Sequence, residues 1–198
     1  MAWLLIVSPF VAIGLLYAVV VSQKRKHHAA VRAVWERFAR ERGGRVLKER
    51  ACHLRLPPSM EFADEGCTVR IEHVEEWSGE GTSFSTRMLV PLERAAAFEL
   101  RLRQNSLFER LRRGPLLDVE LGGRLGKRFR AQSSDVSAAR AVLTPDVRRA
   151  LVAFPARGEL ALHGKQLAFQ WPGLELAPAR LEQALAVVVE LARALRSA

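Results

Sequence analysis

An apolar run over residues 1–21, without one charged side chain, constrains this chain more than any other sequence feature. As a helix, the run would be roughly 31 Å long, close to the thickness of a bilayer hydrocarbon core. Lys24, Arg25 and Lys26 follow it almost at once. The pattern predicts one N-terminal transmembrane helix, which forms a membrane anchor over residues 1–23.

A cleaved signal peptide is the alternative interpretation of the same run. Signal peptides begin with a charged region, contain a shorter apolar core and end at a small-residue cleavage site. Here no side-chain charge lies near Met1, the apolar stretch is longer than a typical core, and no clear cleavage site follows. These differences favour a retained anchor.

The basic residues after the run predict how the chain is oriented and what it contacts. The positive-inside rule places Lys24, Arg25 and Lys26, with everything after them, on the cytoplasmic side of a cell inner membrane or plasma membrane. The same residues are expected to contact anionic lipid headgroups, at about 1 kcal/mol each. A net charge of +10 fits this interpretation. Nucleic acid is disfavoured as a partner, because no recognised fold signature accompanies the charge.

Residues 24–44 form the next unit, a basic juxtamembrane segment followed by an amphipathic helix. Val31, Val34, Trp35 and Phe38 share one helical face, and Gly43-Gly44 ends the pattern. The periodicity leaves open whether this helix continues the first one or folds back on the domain. Residues 45–198 are predicted to form one soluble domain, since that length suits a single core.

Alternation of apolar and polar residues predicts mainly antiparallel strands in the domain. One hairpin is predicted from Val69, Ile71 and His73, a turn over residues 77–82, and a return strand over residues 84–90. Another covers residues 159–163 and 166–171, and short elements are predicted over residues 52–56 and 106–113. Strand and helix do not alternate regularly, so the pattern favours an α+β fold, an antiparallel sheet with helices packed on one face.

Helix-start signals are specific at two positions. Asp135 is predicted to cap one helix, and Thr144-Pro145 supplies a cap and a first-turn proline for the next. A last helix is predicted from Pro178 to about Arg196, with an apolar stripe on one face. These three helices follow most of the strands.

The segments FRAQSSD (residues 129–135), AVLTPDVR (residues 141–148) and TRMLVPL (residues 86–92) resemble a recurring pattern in uncharacterised bacterial membrane-anchored protein families, which are called domains of unknown function. Together they cover about a fifth of the chain. The resemblance implies a bacterial membrane protein and assigns no activity or catalytic residue. The same residues also meet the requirements of two successive helix starts.

Known catalytic and cofactor motifs are absent from the sequence, so we expect no cofactor and no metal ion. The phosphate-loop-like stretch before Lys127 has Leu121 where the first glycine is required, and it is interpreted as a turn. A zinc site of Cys52, His53, Cys67 and His73 does not match a known ligand spacing. Two small buried cysteines are the favoured interpretation. A Cys52–Cys67 disulfide stays open if the orientation is reversed.

Acidic residues concentrate in one part of this basic chain. Glu72, His73 and Glu75 are the candidate catalytic cluster, with further carboxylates at Asp64, Glu65, Glu76 and Glu80. A solvated surface explains the same residues, with Glu72 pairing across the sheet with Arg87 or Arg101. No partnered nucleophile or acid accompanies the cluster, so catalysis is the weaker interpretation.

Basic residues form three further concentrations whose simplest role is a solubilising surface. They are Arg101 and Arg103; Arg110, Arg112 and Arg113; and Arg124, Lys127, Arg128 and Arg130. The leading hypothesis is a non-enzymatic membrane protein whose cytoplasmic domain binds a protein or lipid. An enzyme with its site near Glu72, His73 and Glu75 is the second hypothesis, and a binder of anionic polymers or nucleic acid is the third.

Overall fold

The computed structural model describes residues 2–47, 58–78, 81–104, 115–155 and 157–197, and in the first helix it describes side chains at residue 11 and from residue 13 onward. The helices are α1 Ala2–Arg40, α2 Gly123–Arg128, α3 Val136–Val142, α4 Pro145–Ala153 and α5 Pro178–Ser197. The strands are β1 Arg45–Val46, β2 Met60–Asp64, β3 Cys67–Ser78, β4 Gly81–Pro91, β5 Leu100–Gln104, β6 Leu117–Val119, β7 Phe129–Ser133, β8 Glu159–His163 and β9 Gln166–Pro172.

All of these strands belong to one antiparallel sheet with the order β1-β2-β3-β4-β9-β8-β5-β7-β6. The α+β class and the mainly antiparallel sheet predicted from the sequence are therefore confirmed. The edge strands β1 and β6 are the shortest of the described strands, which limits the unpaired backbone that an edge exposes. The predicted elements over residues 52–56 and 106–113 lie outside the described residues.

One face of the sheet carries the core. In β9, Leu167, Phe169 and Trp171 are buried while the residues between them are partly exposed, as the two-residue period of a strand requires. Helix α5 packs on β4 and β9, and α3 packs on β6 and β7. Residues of α1, α4 and α5 belong to the same buried cluster as the inward-facing strand residues. We call this the inner face and the opposite side the outer face.

Two predicted helix caps are confirmed. The Asp135 carboxylate accepts hydrogen bonds from the backbone N–H groups of Ser137 and Ala138, at 2.8 and 3.0 Å. The Thr144 hydroxyl accepts from the Val147 N–H at 3.3 Å, and Pro145 occupies the first turn of α4. The segment over residues 122–126, predicted as a turn, instead leads into the short helix α2. Gly122 and Gly123 take positive φ values there, which glycine adopts without strain.

The prediction of a membrane-spanning helix over residues 1–23 is wrong for the described chain. No helix there combines the length and the apolar character that a bilayer crossing requires. Helix α1 begins at Ala2, inside the apolar run. The helix then continues through Lys24, Arg25 and Lys26 without a break. The transmembrane and single-pass descriptions of the chain are corrected accordingly.

The C-terminal part of α1 packs against the sheet. Val31, Trp35 and Phe38 are buried, and the Phe38 ring meets Phe62 of β2 edge to face at 5.7 Å between centroids. The helix predicted after Lys26 is thus a direct continuation of the first one, and its C-terminal half also lies on the domain. Just after α1, Gly44 approaches β2 so closely that an added Cβ would lie 2.6 Å from the Glu61 carbonyl oxygen.

Glu175, between β9 and α5, is a buried carboxylate with donors on both oxygens. Oε1 accepts from the N–H groups of Leu176 and Ala177 at 3.1 and 2.9 Å. Oε2 accepts from Trp171 Nε1 and from Arg180 Nη1, each at 3.1 Å. Only 6% of the residue is exposed. Burying a carboxylate is costly unless such donors replace water, and here four of them do so.

The backbone of Glu175 connects α1 to β4. Trp35 Nε1 donates to the Glu175 carbonyl oxygen at 3.0 Å. The Glu175 N–H donates to Thr86 Oγ1 at 2.9 Å, and the Thr86 hydroxyl donates in turn to the Gly173 carbonyl oxygen at 2.7 Å. One residue thereby holds α1, β4, β9 and α5 in register, and we call this set of contacts the Glu175 junction.

We expect Glu175→Ala to lower the free energy of unfolding by about 3 kcal/mol, because it leaves the Trp171 indole N–H and two backbone N–H groups without their acceptor. Chemical denaturation followed by tryptophan fluorescence measures this change. Glu93→Ala is the control, since Glu93 is exposed and its loss should stay within about 0.5 kcal/mol. Equal stability of the two variants would contradict the structural role of the junction.

Candidate interaction surface

Residues 13–20 of α1 form an apolar stretch on the surface. Residues 13–20 are all exposed, with Leu16 at 68% and Tyr17 at 71%. Successive helical residues are 100° apart, so a continuous apolar run leaves no polar face for water. Exposed apolar surface of this kind marks a site of interaction with a protein or a lipid. We call residues 13–27 the exposed α1 segment.

The basic end of this segment is exposed as well. Lys24, Arg25 and Lys26 are three consecutive cations, and all are accessible to solvent. They were predicted to contact anionic lipid headgroups, and their exposure makes them available for this. The headgroup contact itself stays a prediction. The segment thus combines an apolar part with a cationic end.

A two-stranded arm lies beside the exposed α1 segment. Strand β2 pairs with β3 only over Cys67–Ile71, and β9 pairs with β4 only over Thr86–Pro91. Beyond these limits, the described residues of β3 and β4 pair mainly with each other. We call residues 72–78 and 81–85 the arm. The predicted hairpin is therefore confirmed, although its strands extend further than predicted.

The arm contacts α1 and carries an exposed tryptophan at its tip. The Phe84 ring meets His28 of α1 edge to face, with 6.0 Å between centroids. Trp77, which the sequence placed in the turn, belongs to β3 and is 81% exposed. Its pairing with Thr82 places it on the same face as Phe84, the inner face that α1 also covers. Apolar and polar residues do not alternate regularly through this extension, because Glu75 and Glu76 are adjacent charged residues.

The candidate catalytic cluster is divided between the two faces of the arm. Glu72 lies on the outer face, where Arg87 Nε donates to its Oε1 at 2.7 Å, so the predicted cross-strand pair is confirmed. His73 and Glu75 lie on the inner face, because successive strand residues point in opposite directions. The three side chains therefore do not converge on one substrate position. This geometry does not favour the enzyme hypothesis at this cluster.

The other carboxylates of the acidic concentration are spread along the hairpin. Asp64 and Glu65 lie at its opposite end, near the β2–β3 turn, and Glu80 lies outside the described residues. Burial raises the pKa of Asp64 above its ordinary value of 3.8, and the neighbouring charge of Glu65 adds to the rise. Glu76 pairs with Gln170 at 2.9 Å. The carboxylates do not form one cluster.

Arginines on the outer face are paired with carboxylates. Arg103 Nε donates to Glu159 Oε1 at 2.7 Å, and Arg130 Nε donates to Asp118 Oδ1 at 2.9 Å. The hydrogen bond from Arg130 holds the pKa of Asp118 below its ordinary value. Arg128 instead donates to the Val152 carbonyl oxygen at 3.0 Å. These contacts support a solubilising surface over an anionic-polymer site. Residues 110, 112 and 113 lie outside the described residues.

The cysteine and histidine residues of the disfavoured zinc site do not meet where they are described. Cys67 is a buried thiol at the start of β3, and Arg196 Nη1 lies 2.7 Å from its sulfur. His73 is six residues along the same strand, about 20 Å away at 3.3 Å per residue. Cys52 and His53 lie outside the described residues. Within the described chain, no three metal-binding side chains come together.

Two shallow depressions, with volumes of about 340 and 320 Å³, interrupt the surface. Thr144, Glu190 and Arg193 line the first, and Asp118 and Arg130 contribute to the second. Neither lining contains a histidine or a cysteine. The exposed α1 segment and the arm are therefore the better candidate for a functional surface.

The comparisons with known proteins bear on the fold. No protein family model and no curated protein matches the chain in sequence. In structure, the chain is similar to the mycobacterial trehalose monomycolate transport factor A, TtfA, with a TM-score of 0.59 and 14% sequence identity. The match covers 84% of this chain and 94% of that chain. At this identity the similarity concerns the fold alone, and the resemblance to uncharacterised bacterial families stays a prediction.

We expect Asp64→Asn to raise the melting temperature near pH 7 and to have no effect below about pH 3. The folded pKa of Asp64 is raised, so its stabilising contribution is present below the unfolded pKa and is lost as the pH rises through the folded value. Asparagine mimics the protonated acid at every pH. Thermal unfolding at several pH values measures the effect.

Glu61→Gln is the matched control on the same strand. Hydrogen bonds from Arg45 and Arg70 lower the folded pKa of Glu61, so its contribution is present above the unfolded pKa and is lost on acidification. This variant should lower the melting temperature near pH 7. Shifts of the same sign for both variants would contradict the assigned electrostatics.

Proposed function

We propose that this protein is a membrane-associated interaction module without a catalytic role, which contacts lipid through the exposed α1 segment and presents its α+β domain to a protein partner. The observation that carries the proposal is an apolar, exposed helix segment ending in three exposed cations. Apolar side chains leave water when they enter a bilayer, and basic side chains beside them attract anionic headgroups. Both requirements are met on one helix.

The proposed location is the cytoplasmic face of a cell inner membrane or plasma membrane. Anionic lipids give this leaflet a negative surface potential, which attracts basic segments placed next to apolar ones. Lys24, Arg25 and Lys26 supply three such charges. Both the cytoplasmic location and the lipid contact are proposals that rest on this charge pattern and on the exposure of the segment.

The domain is proposed to follow α1 to the membrane as a rigid body. Trp35 lies about two and a half turns beyond Lys26 on the same helix and is hydrogen-bonded within the Glu175 junction. Lipid contact at the segment would therefore fix the height and the rotation of the sheet. The mycobacterial protein with a similar fold is a transport factor. An accessory role of this kind needs a positioned binding surface, and it needs no catalytic centre.

We expect the triple variant Lys24→Gln, Arg25→Gln, Lys26→Gln to bind anionic vesicles about 100-fold more weakly, since about 1 kcal/mol per charge gives about 3 kcal/mol in all. Flotation of the full chain with phosphatidylglycerol-containing vesicles measures the binding. Phosphatidylcholine vesicles should show little difference between the variant and the unmodified chain.

The matched control is the triple variant Arg94→Gln, Arg140→Gln, Arg157→Gln, which removes three exposed charges from the domain. It should retain most of the vesicle binding. An equal loss in both triple variants would show that bulk charge drives the binding. Failure of the unmodified full chain to float with either vesicle type would overturn the proposed lipid contact.

A further inference from the structure

Trp77 is the most exposed of the large apolar side chains whose exposure the structure gives, at 81%, and neither the core nor the proposed α1 contact uses it. We propose that Trp77 is a second membrane contact, which inserts into the headgroup region of the bilayer that the exposed α1 segment occupies. This inference rests on the proposed function. The proposed contact is with a lipid bilayer, because Trp77 lies at the same height along α1 as the boundary between the apolar and the cationic residues of that helix.

Two shared contacts establish that the arm and α1 run side by side in the same direction. At the Glu175 junction, Trp35 of α1 and Thr86 of β4 bond to the same residue. Further out, His28 meets Phe84. On α1, His28 is closer to the N-terminus than Trp35, and on β4, Phe84 is closer to the tip of the arm than Thr86. The arm therefore points along the exposed α1 segment.

The tip of the arm is level with the start of the basic residues. Trp77 pairs with Thr82, which is two residues beyond Phe84. Two strand residues span about 7 Å, so Thr82 and Trp77 lie about 7 Å further along the arm than Phe84. A helix rises about 1.5 Å per residue, so the same height on α1 is reached about five residues before His28. That position is occupied by Gln23 and Lys24. Apolar residues of α1 lie on one side of this level, and the domain lies on the other.

A tryptophan at such a level suits a membrane interface. Its ring offers a large apolar surface while the indole N–H stays close to water and headgroups, so tryptophan is enriched at this depth. Two of the arm's carboxylates already have partners: Glu72 accepts a hydrogen bond from the Arg87 guanidinium, and Glu76 accepts one from the Gln170 amide. Glu75 shares the inner face with Trp77 and is exposed. Its charge would come close to anionic headgroups and would oppose insertion there.

The test uses the full chain with Trp3→Phe, so that tryptophan remains at residues 35, 77 and 171. Trp35 and Trp171 are buried, at 0% and 1% exposed, and should not respond to lipid. Phosphatidylglycerol-containing vesicles should shift the emission to the blue, and bromine atoms on their acyl chains should quench it. Both effects should vanish when Trp77→Phe is added, and vesicle binding by Trp77→Ala should fall about tenfold.

Two control variants test whether the effect on vesicle binding is specific to Trp77. Leu117→Ala removes an exposed apolar side chain at the far edge of the sheet and should leave binding unchanged, whereas Glu75→Gln should strengthen binding to anionic vesicles only. Vesicle binding without any response of Trp77 would overturn the inference and leave the proposed function standing. No vesicle binding at all would overturn both. Shielding of Trp77 that depends on protein concentration, without vesicles, would identify a second copy as the occupant and overturn the lipid contact.

Discussion

The buried carboxylate of Glu175 is the constraint on which the relative placement of the elements depends. A charge at 6% exposure is tolerated only where several donors surround it. Those donors are Trp171 near the end of β9, the backbone N–H groups of Leu176 and Ala177 just before α5, and Arg180 in the first turn of α5. Trp35 and Thr86 bond to the backbone of the same residue. Sliding any of these elements by one residue would leave a buried polar group unpaired. The junction therefore selects one register among the many that apolar packing alone would accept.

This register determines what the protein presents at its surface. With Trp35 held against Glu175, the N-terminal part of α1 must extend beyond the core, and the alternation of β4 then places Phe84 beside His28. The exposed α1 segment and the arm are consequently two features of one end of the molecule. A functional surface built from them would inherit the rigidity of a sheet and a long helix rather than the mobility of a loop.

Local signals in the sequence were sufficient to predict the elements that depend only on neighbouring residues. Alternation predicted the β3–β4 hairpin, and the side chains of Asp135 and Thr144 predicted two helix starts. Hydropathy predicted a membrane span over residues 1–23, whereas no helix among the described residues is long and apolar enough to cross a bilayer. The backbone contacts of Glu175 carry no local signal, since Trp35 and Thr86 lie 140 and 89 positions away. Strand β2, which follows Pro57-Pro58, was missed, although Met60 and Phe62 alternate with Glu61 as in a strand.

Charge pairing on the sheet also explains why composition is a poor guide to the functional surface. The net charge of +10 suggests an extended basic face. On the outer face, however, several arginines are held against carboxylates: Arg87 with Glu72, Arg103 with Glu159, and Arg130 with Asp118. The fields of such pairs largely cancel beyond a Debye length of about 8–10 Å. Lys24, Arg25 and Lys26 are consecutive and exposed, so their fields add. Long-range attraction to an anionic surface and burial of apolar side chains would therefore act at the same end of α1, where each would strengthen the other.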